Sequence, residues 1–313
     1  MKPLQASSGD LNADRRADYA EMLHASGDHA EAVELLLGAM ELVPQWAMGW
    51  YRLGEMQETA GALDLAAQAW AISLRLDPTD RQGAALKLQL IGREPAMGAP
   101  PSAFVETLFD HYAESFDDAL VEKLGYRVPE FLEEAIRAVR PGRFGLVLDL
   151  GCGTGLMGER LRPNADRLEG VDISAKMLRK ARAKNIYDVL AKATLQDFVH
   201  PGNKAELVTA ADVFIYVGAL DGVVKNVAGM LTDNGLFVFS VEKIGDAGWH
   251  GDFALQPSRR YAHCETYVRG VLADNGFSIL SLETKIIRQD RHQPVEGLVV
   301  VAALSSSLAG RDA

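Results

Sequence analysis

The sequence predicts an α/β protein: a mostly parallel, seven-stranded sheet with an antiparallel last strand, preceded by a small all-helical domain. Three observations predict it. Residues 144–150 form a short apolar run that ends in three alternating glycines, Gly151, Gly153 and Gly155, which reads as a strand, a tight turn and a helix start. From there to Asp274, apolar runs suited to strands alternate with amphipathic segments, as parallel strands joined by helices require. Residues 277–287 and 297–304 then follow each other with only a polar connection, so the last two strands pair as an antiparallel hairpin.

The first ninety or so residues repeat. Gly27, Ala32, Leu36, Ala39 and Pro44 recur 34 residues later as Gly61, Ala66, Trp70, Ser73 and Pro78. Trp50, Leu53 and Gly54 open the second unit, 47–80; in the first, 13–46, Arg16, Tyr19 and Ala20 stand at those places. Small residues let paired helices approach, and Pro closes the second helix of each pair. These residues resemble tetratricopeptide repeats, helix pairs that stack on one another. A further helix over 81–91 would cap the stack. Residues 93–101 hold three prolines and a glycine and read as a linker. The expected domains are therefore 1–95, helical, and 102–313, α/β. Helices are expected over 104–112, from Phe116-Asp117 towards Arg127-Val128-Pro129, and over 130–139.

The net charge of −11 argues against general affinity for nucleic acid or an anionic membrane. The two cysteines, Cys152 and Cys264, supply neither a disulfide framework nor the spacing of a metal site. The polar N-terminus and the lack of an apolar run of spanning length predict a cytoplasmic protein.

The glycine turn carries the chemistry. Alternate glycines clear side chains from where a ligand must approach the backbone, and Thr154 can cap the helix 156–161, whose start offers N–H groups to an anion. Asp149-x-Gly151-x-Gly153-x-Gly155 is the spacing used for S-adenosylmethionine. Gly153, Gly155 and Gly158 also spell the G-x-G-x-x-G of dinucleotide sites. In that second register the strand would run through Gly151 and Cys152, and Asp149 would be a buried charge without a partner. The second strand, 168–172, ends at Asp172, placed to accept ribose hydroxyls. Ser174 caps the helix 175–183, and Ile173 and Met177 flank the adenosine. A third strand, 187–192, leads to Asp197, which could accept from an adenine amino group. The fourth, 207–211, ends at Asp212, and 213–217 continues apolar along the same crevice. A helix over 219–231, a turn at 232–235, a fifth strand at 236–241 and a helix over 265–274 complete the order.

VLDLGCGTG, GVDISAKML, the acid after strand three and ADVFIYV after strand four match successive motifs of class I S-adenosylmethionine-dependent methyltransferases, which residues 102–313 resemble. With the repeats, the arrangement is similar to bacterial predicted methyltransferases that carry tetratricopeptide repeats, whose entry segment 109–129 resembles. The resemblance implies that Gly151 and Gly153, with Cys152 between them, contact the methionine portion of the cofactor. It implies that Asp149 orients the cofactor's amino group, that Asp172 holds the ribose, and that Tyr112 closes over the carboxylate. Gln196 stands where that motif usually carries Gly beside the acid Asp197. Asp212 counts among the cofactor-side residues. His111 and His263 are the candidates for a general base. Residues 243–261, with Trp249, His250, Arg259 and Arg260, form an insertion long enough for a lid. The fourth strand ends in Ala-Asp-Val-Phe and not in Asn/Asp-Pro-Pro-Tyr/Phe, which with the acidic charge argues against a nucleic-acid base as acceptor. The expected acceptor is a small molecule or a protein. The expected partners of the repeats are another protein or a second copy of the chain. The alternative from another class is an interaction protein whose cofactor domain turns over slowly.

Overall fold

The computed structural model describes residues 7–114, 116–117, 125–245, 251–290 and 293–306. They form two compact units, 1–107 and 108–313. The division falls inside one helix, α6 (Ser102–Tyr112), and not in the linker 93–101.

The first unit is helical: α1 (Leu11–Ser26), α2 (His29–Leu42), α3 (Ala47–Thr59), α4 (Leu63–Leu76) and the short α5 (Ala84–Leu90). Asp10 starts α1 by accepting from the N–H groups of Asn12 and Ala13, and Gly27 ends it in the left-handed conformation. Ala13, Ala17 and Ala20 of α1 pack with Ala32, Leu36 and Ala39 of α2, small residues that permit a close approach. Gly54 has a direct reason: a Cβ there would lie 2.4 Å from the Trp70 indole nitrogen. That nitrogen donates to the Tyr51 carbonyl, and Ser73 donates to the Ala47 carbonyl. Asp80 caps α5 by accepting from Ala84 and Ala85.

Among the described residues the second unit forms a nine-stranded sheet with helices on both faces. Its strands are β1 (Phe144–Leu150), β2 (Ala165–Asp172), β3 (Val189–Lys192), β4 (Ala205–Ala210), β5 (Leu231–Lys243), β6 (Phe253–Leu255), β7 (Tyr261–His263), β8 (Phe277–Asp290) and β9 (Gln293–Leu304). Its helices are the end of α6, then α7 (Val128–Val139), α8 (Leu156–Leu161), α9 (Ala175–Ala183), α10 (Asp221–Met230) and α11 (Glu265–Asp274). β3, β2, β1, β4 and β5 are parallel neighbours in that order. β9 runs antiparallel between β5 and β8. Two strands exceed the expected seven because the insertion folds into its own hairpin, β6 and β7. β7 takes up β5 at Glu242 and Lys243, beyond the last residue that β4 pairs.

Alternation along the strands feeds two cores. Val147, Leu207, Leu236 and Val238 face α7 and α8 through Leu132, Ile136, Met157 and Leu161. Leu148, Val208, Phe237 and Phe239 face α10 and α11 through Val224, Val227, Val268 and Leu272. Three local expectations are corrected. Thr154 does not cap α8: Gly155 holds the cap position, and the Thr154 hydroxyl donates to Asp117. Tyr187 lies before β3 and turns towards β1. Residues 232–235 fall within β5, with Asn234 left-handed at φ 59° and a register shift against β4 between Ala205 and Leu207. Among the described residues no helix is long and apolar enough to cross a membrane. Residues 118–124 of the expected entry helix, and Trp249 and His250 of the insertion, lie outside the described residues.

Candidate functional site

The order of the strands reverses at β1, which has β2 on one side and β4 on the other. Ligands in such sheets bind beyond the carboxyl ends of the strands at that point. The glycine turn sits there. Gly151, Gly153 and Gly155 have φ of 64°, 53° and 95°, a left-handed series that strains any residue with a Cβ. The Cys152 N–H donates to the Val171 carbonyl at 2.9 Å, which fastens the turn to β2. A Cβ on Gly151 would lie 2.6 Å from Val213, so β1 and the segment after β4 meet at this glycine. Above Gly153 the nearest atom to a Cβ would belong to Phe116, at 3.9 Å. The turn thus leaves open backbone at Gly153 and close packing at Gly151.

Two acids stand beside the turn. Asp172 is 8% exposed and accepts from Gly153 N–H at 2.9 Å and from Ser174 N–H at 2.8 Å. The Gly153 N–H is therefore committed to a carboxylate of the chain itself. A carboxylate offers about four acceptor positions, so acceptor capacity remains for a hydroxyl donor. Asp149 is 1% exposed and accepts from the Tyr187 hydroxyl at 2.6 Å and the Thr209 hydroxyl at 2.9 Å. Burial pushes both carboxyls up to about 6, against the hydrogen bonds, which hold them down.

The remaining expected residues separate into groups. Ile173 is half-buried beside Asp172, while Met177 and Cys152 are buried. The Cys152 sulfur packs against Gly170 of β2, and burial pushes its thiol well up. Asp197 is exposed in a turn and accepts from the Thr194 hydroxyl. Asp212 is held by Arg288 of β8, whose guanidinium nitrogen donates to both its oxygens at 2.9 and 2.8 Å. Arg288 also pairs with Glu242 of β5 and is 2% exposed, so Asp212 belongs to a buried ion triad. His111 is exposed on α6. Tyr112, next to it, has a buried hydroxyl without a hydrogen-bond partner among the described residues. His263 is fully buried, and its Nε2 lies 2.9 Å from the carbonyl oxygens of both Val217 and Gly218. Two carbonyls facing one nitrogen require that Nε2 carry the proton. Burial pushes this histidine down to about 4, so it is neutral at pH 7 and acts as a clip between β7 and the segment after β4.

Sequence reasoning missed four residues. Tyr187 and Thr209 supply the hydroxyls on Asp149, and only Tyr187's place among small residues (Gly155, Gly158 and Gly170 all abut its ring) hints at it. Asp110 accepts from the Ser174 hydroxyl at 2.5 Å and ties the end of α6 to the start of α9. Arg288 has no local sequence signal, because its partners are 76 and 46 residues away.

The arrangement fits S-adenosylmethionine. Bare backbone at Gly153 makes room for a methionine tail, where any Cβ would intrude. Asp172 keeps acceptor capacity for hydroxyl donors, and the Tyr112 hydroxyl is buried without a hydrogen-bond partner among the described residues. Comparison with known proteins agrees. Residues 148–239 match the family model described as "Methyltransferase domain". The chain is 35% identical over 128 residues to methyltransferase-like protein 27 of Homo sapiens, covering 40% of this chain and 50% of that protein. It is 30% identical over 146 residues to the magnesium-protoporphyrin O-methyltransferase of Synechocystis sp., covering 43% of this chain and 63% of that protein. The chain thus spans between half and two-thirds of these curated relatives. Among solved structures, the N-methyltransferase NodS of Bradyrhizobium japonicum, in complex with S-adenosyl-L-homocysteine, superposes with TM-score 0.51 at 18% identity, over 64% of this chain and 97% of that one. The [4+2]-cyclase SpnF superposes with TM-score 0.53 at 16% identity, over 64% and 95%. At those identities the structures speak for the fold, and the two named activities differ. Sequence and fold agree that residues 148–239 lie in a methyltransferase domain, and the second unit shares its fold with NodS, a methyltransferase solved with S-adenosyl-L-homocysteine.

Proposed function

We propose that the protein transfers the methyl group of S-adenosylmethionine to a nucleophilic atom of a small molecule or a protein. The observation that carries this reading is Asp172, buried at the end of β2 and joined to the open backbone of Gly153. When bound, the cofactor supplies an electrophilic methyl group. The residues of the chain have to hold it, align an acceptor with it and exclude water. In this reading Asp172 accepts the ribose hydroxyls, Gly151 and Gly153 give the methionine portion its path, and Ile173 and Met177 flank the adenosine. Asp149 is fixed by Tyr187 and Thr209 and acts on the cofactor's ammonium through its field. Phe109, Phe116 and Tyr216, whose rings contact in series at 6.0 and 5.1 Å, form the dry wall on the acceptor side. His263 is kept for the fastening of β7, and no histidine is required as a base.

The helical unit is read as a short tetratricopeptide array. α2 and α4 begin 34 residues apart, at His29 and Leu63, and Gly54 meets Trp70 as that repeat's close packing requires. Its role is to bind a protein partner or a second copy of the chain. The experiment on the activity is production of S-adenosylhomocysteine by the full-length protein from S-adenosylmethionine and fractionated metabolite or protein pools. Turnover with at least one pool supports the reading. Binding of the cofactor with no turnover in any pool favours an interaction protein.

A further inference from the structure

Two histidines meet at the turn between α1 and α2. His24 stands in the last turn of α1, and His29 is the first residue of α2. Their Nδ1 atoms are 3.2 Å apart, with ring centres at 4.8 Å and ring planes 56° from each other. The backbone between them is fixed. Gly27 is left-handed at φ 96°, its N–H donates to the His24 carbonyl at 3.2 Å, and the Asp28 N–H donates to the Leu23 carbonyl at 2.9 Å. Both histidines are half-buried. At the next repeat, 34 residues on, the same places hold Glu58 and Leu63, so the packing of a helix pair does not call for histidine at either place.

A hydrogen bond alone fits this geometry poorly. An in-line N–H···N bond of that length would put the ring centres roughly 5.5 Å apart. At 4.8 Å the lone-pair axes of the two nitrogens do not lie on the line between them, as happens when both aim at a third atom. Two imidazoles bound to one tetrahedral ion at about 2.0–2.1 Å have nitrogens about 3.3 Å and ring centres about 5 Å apart. The pair stands close to that arrangement. The local charge favours a cation. Glu21, Glu55 and Arg52 all act on His24, and both carboxylates pair with the one guanidinium, which leaves one negative charge over. The carboxyl end of α1 favours a cation and the amino end of α2 opposes one, so the helix ends offset each other. Asp28 turns to the Ser26 hydroxyl, and among the described residues no third His, Cys, Asp or Glu completes a ligand set.

We propose that His24 and His29 bind one divalent transition-metal ion through their Nδ1 atoms, with water at its other positions. Imidazole nitrogen suits Zn²⁺, Ni²⁺ and Cu²⁺ and selects against Mg²⁺ and Ca²⁺, which prefer oxygen. The site lies within the helical unit and does not depend on the methyltransferase reading.

The full-length protein is stripped with a chelator, desalted and titrated with Zn²⁺ by calorimetry, as wild type, His24→Gln and His29→Gln. Far-UV circular dichroism checks that the variants keep their helices. The wild type is expected to bind Zn²⁺ at micromolar concentration. Either substitution is expected to weaken that site about tenfold or more, since one imidazole alone holds an ion poorly. Excess Mg²⁺ is expected not to displace Zn²⁺. Cu²⁺ is expected to bind more tightly than Zn²⁺ and to show coupling to two nitrogens by electron paramagnetic resonance. No Zn²⁺ binding by the wild type overturns the proposal. A site of unchanged affinity in both variants assigns the ion to other groups, such as the two cysteines, and overturns it as well. Displacement by Mg²⁺ overturns ligation by imidazole. Should a variant lose its helices, the Cu²⁺ spectrum of the wild type decides: coupling to two nitrogens upholds the pair, and oxygen ligands alone overturn it.

Discussion

Asp172→Asn separates binding from folding because its two effects on stability oppose. The carboxylate is 8% exposed and accepts two backbone N–H groups, from Gly153 and Ser174. An amide has one acceptor oxygen, so one of those donors loses its partner, at about 1–3 kcal/mol. Against this, burial raises the carboxyl from 3.8 to about 6 in the folded protein. At pH 7 the ionised group therefore costs the fold about 3 kcal/mol, at roughly 1.4 kcal/mol per pKa unit, which the neutral amide relieves. The two terms nearly cancel, and unfolding in urea at pH 7 should change by about 1–2 kcal/mol or less. Ligand affinity has no such compensation. Loss of charge-assisted bonds to the ribose should weaken S-adenosylhomocysteine by roughly 1.5–3 kcal/mol, about tenfold to a hundredfold, by calorimetry. A variant that loses several kcal/mol of stability while binding the ligand as tightly as the wild type would refute the reasoning.

The pH dependence follows from the same groups. With the folded carboxyls of Asp149 and Asp172 raised to about 6, their contribution to stability is full below 3.8 and is lost as pH rises through about 6. Ligand donors favour ionised Asp172, so affinity should be highest above about pH 6, fall below it, and release up to about half a proton at pH 6 in calorimetry across buffers. Gly151→Ala places a Cβ 2.6 Å from Val213 and should cost about 1–3 kcal/mol of stability by denaturant titration. Gly153→Ala has 3.9 Å of clearance, so its strain should cost only about 1–2 kcal/mol while its methyl group lowers cofactor affinity. Arg288→Met leaves Asp212 and Glu242 buried without their cation and should lower stability by about 3–5 kcal/mol in the same assay.

The legible parts of this chain are those in which neighbouring residues determine the outcome. β1 spans 144–150 and α11 spans 265–274, as expected, because apolar periodicity and flanking Gly or Asn punctuate both. Ser174 caps α9 through the Met177 N–H, a contact three residues long. The hairpin at the end was readable because nothing helical separates its strands. Distant partners were not readable. The sequence named no partner within the chain for Asp149, whose hydroxyl donors, Tyr187 and Thr209, lie 38 and 60 residues on. Asp212 read as an acid at a strand end facing the crevice, whereas Arg288 draws it into an ion triad. Thr154 had the right residue type for a cap, but the left-handed Gly155 takes that position and the hydroxyl reaches Asp117 instead. The small strands β6 and β7 gave no signal, being three residues each.

The most direct measurement is a pair of calorimetric titrations of the full-length protein, with S-adenosylhomocysteine and with NAD under the same conditions. The left-handed glycines beside Asp172 predict one site per chain for S-adenosylhomocysteine and no heat from NAD. A site for NAD with none for S-adenosylhomocysteine would contradict the account at its root.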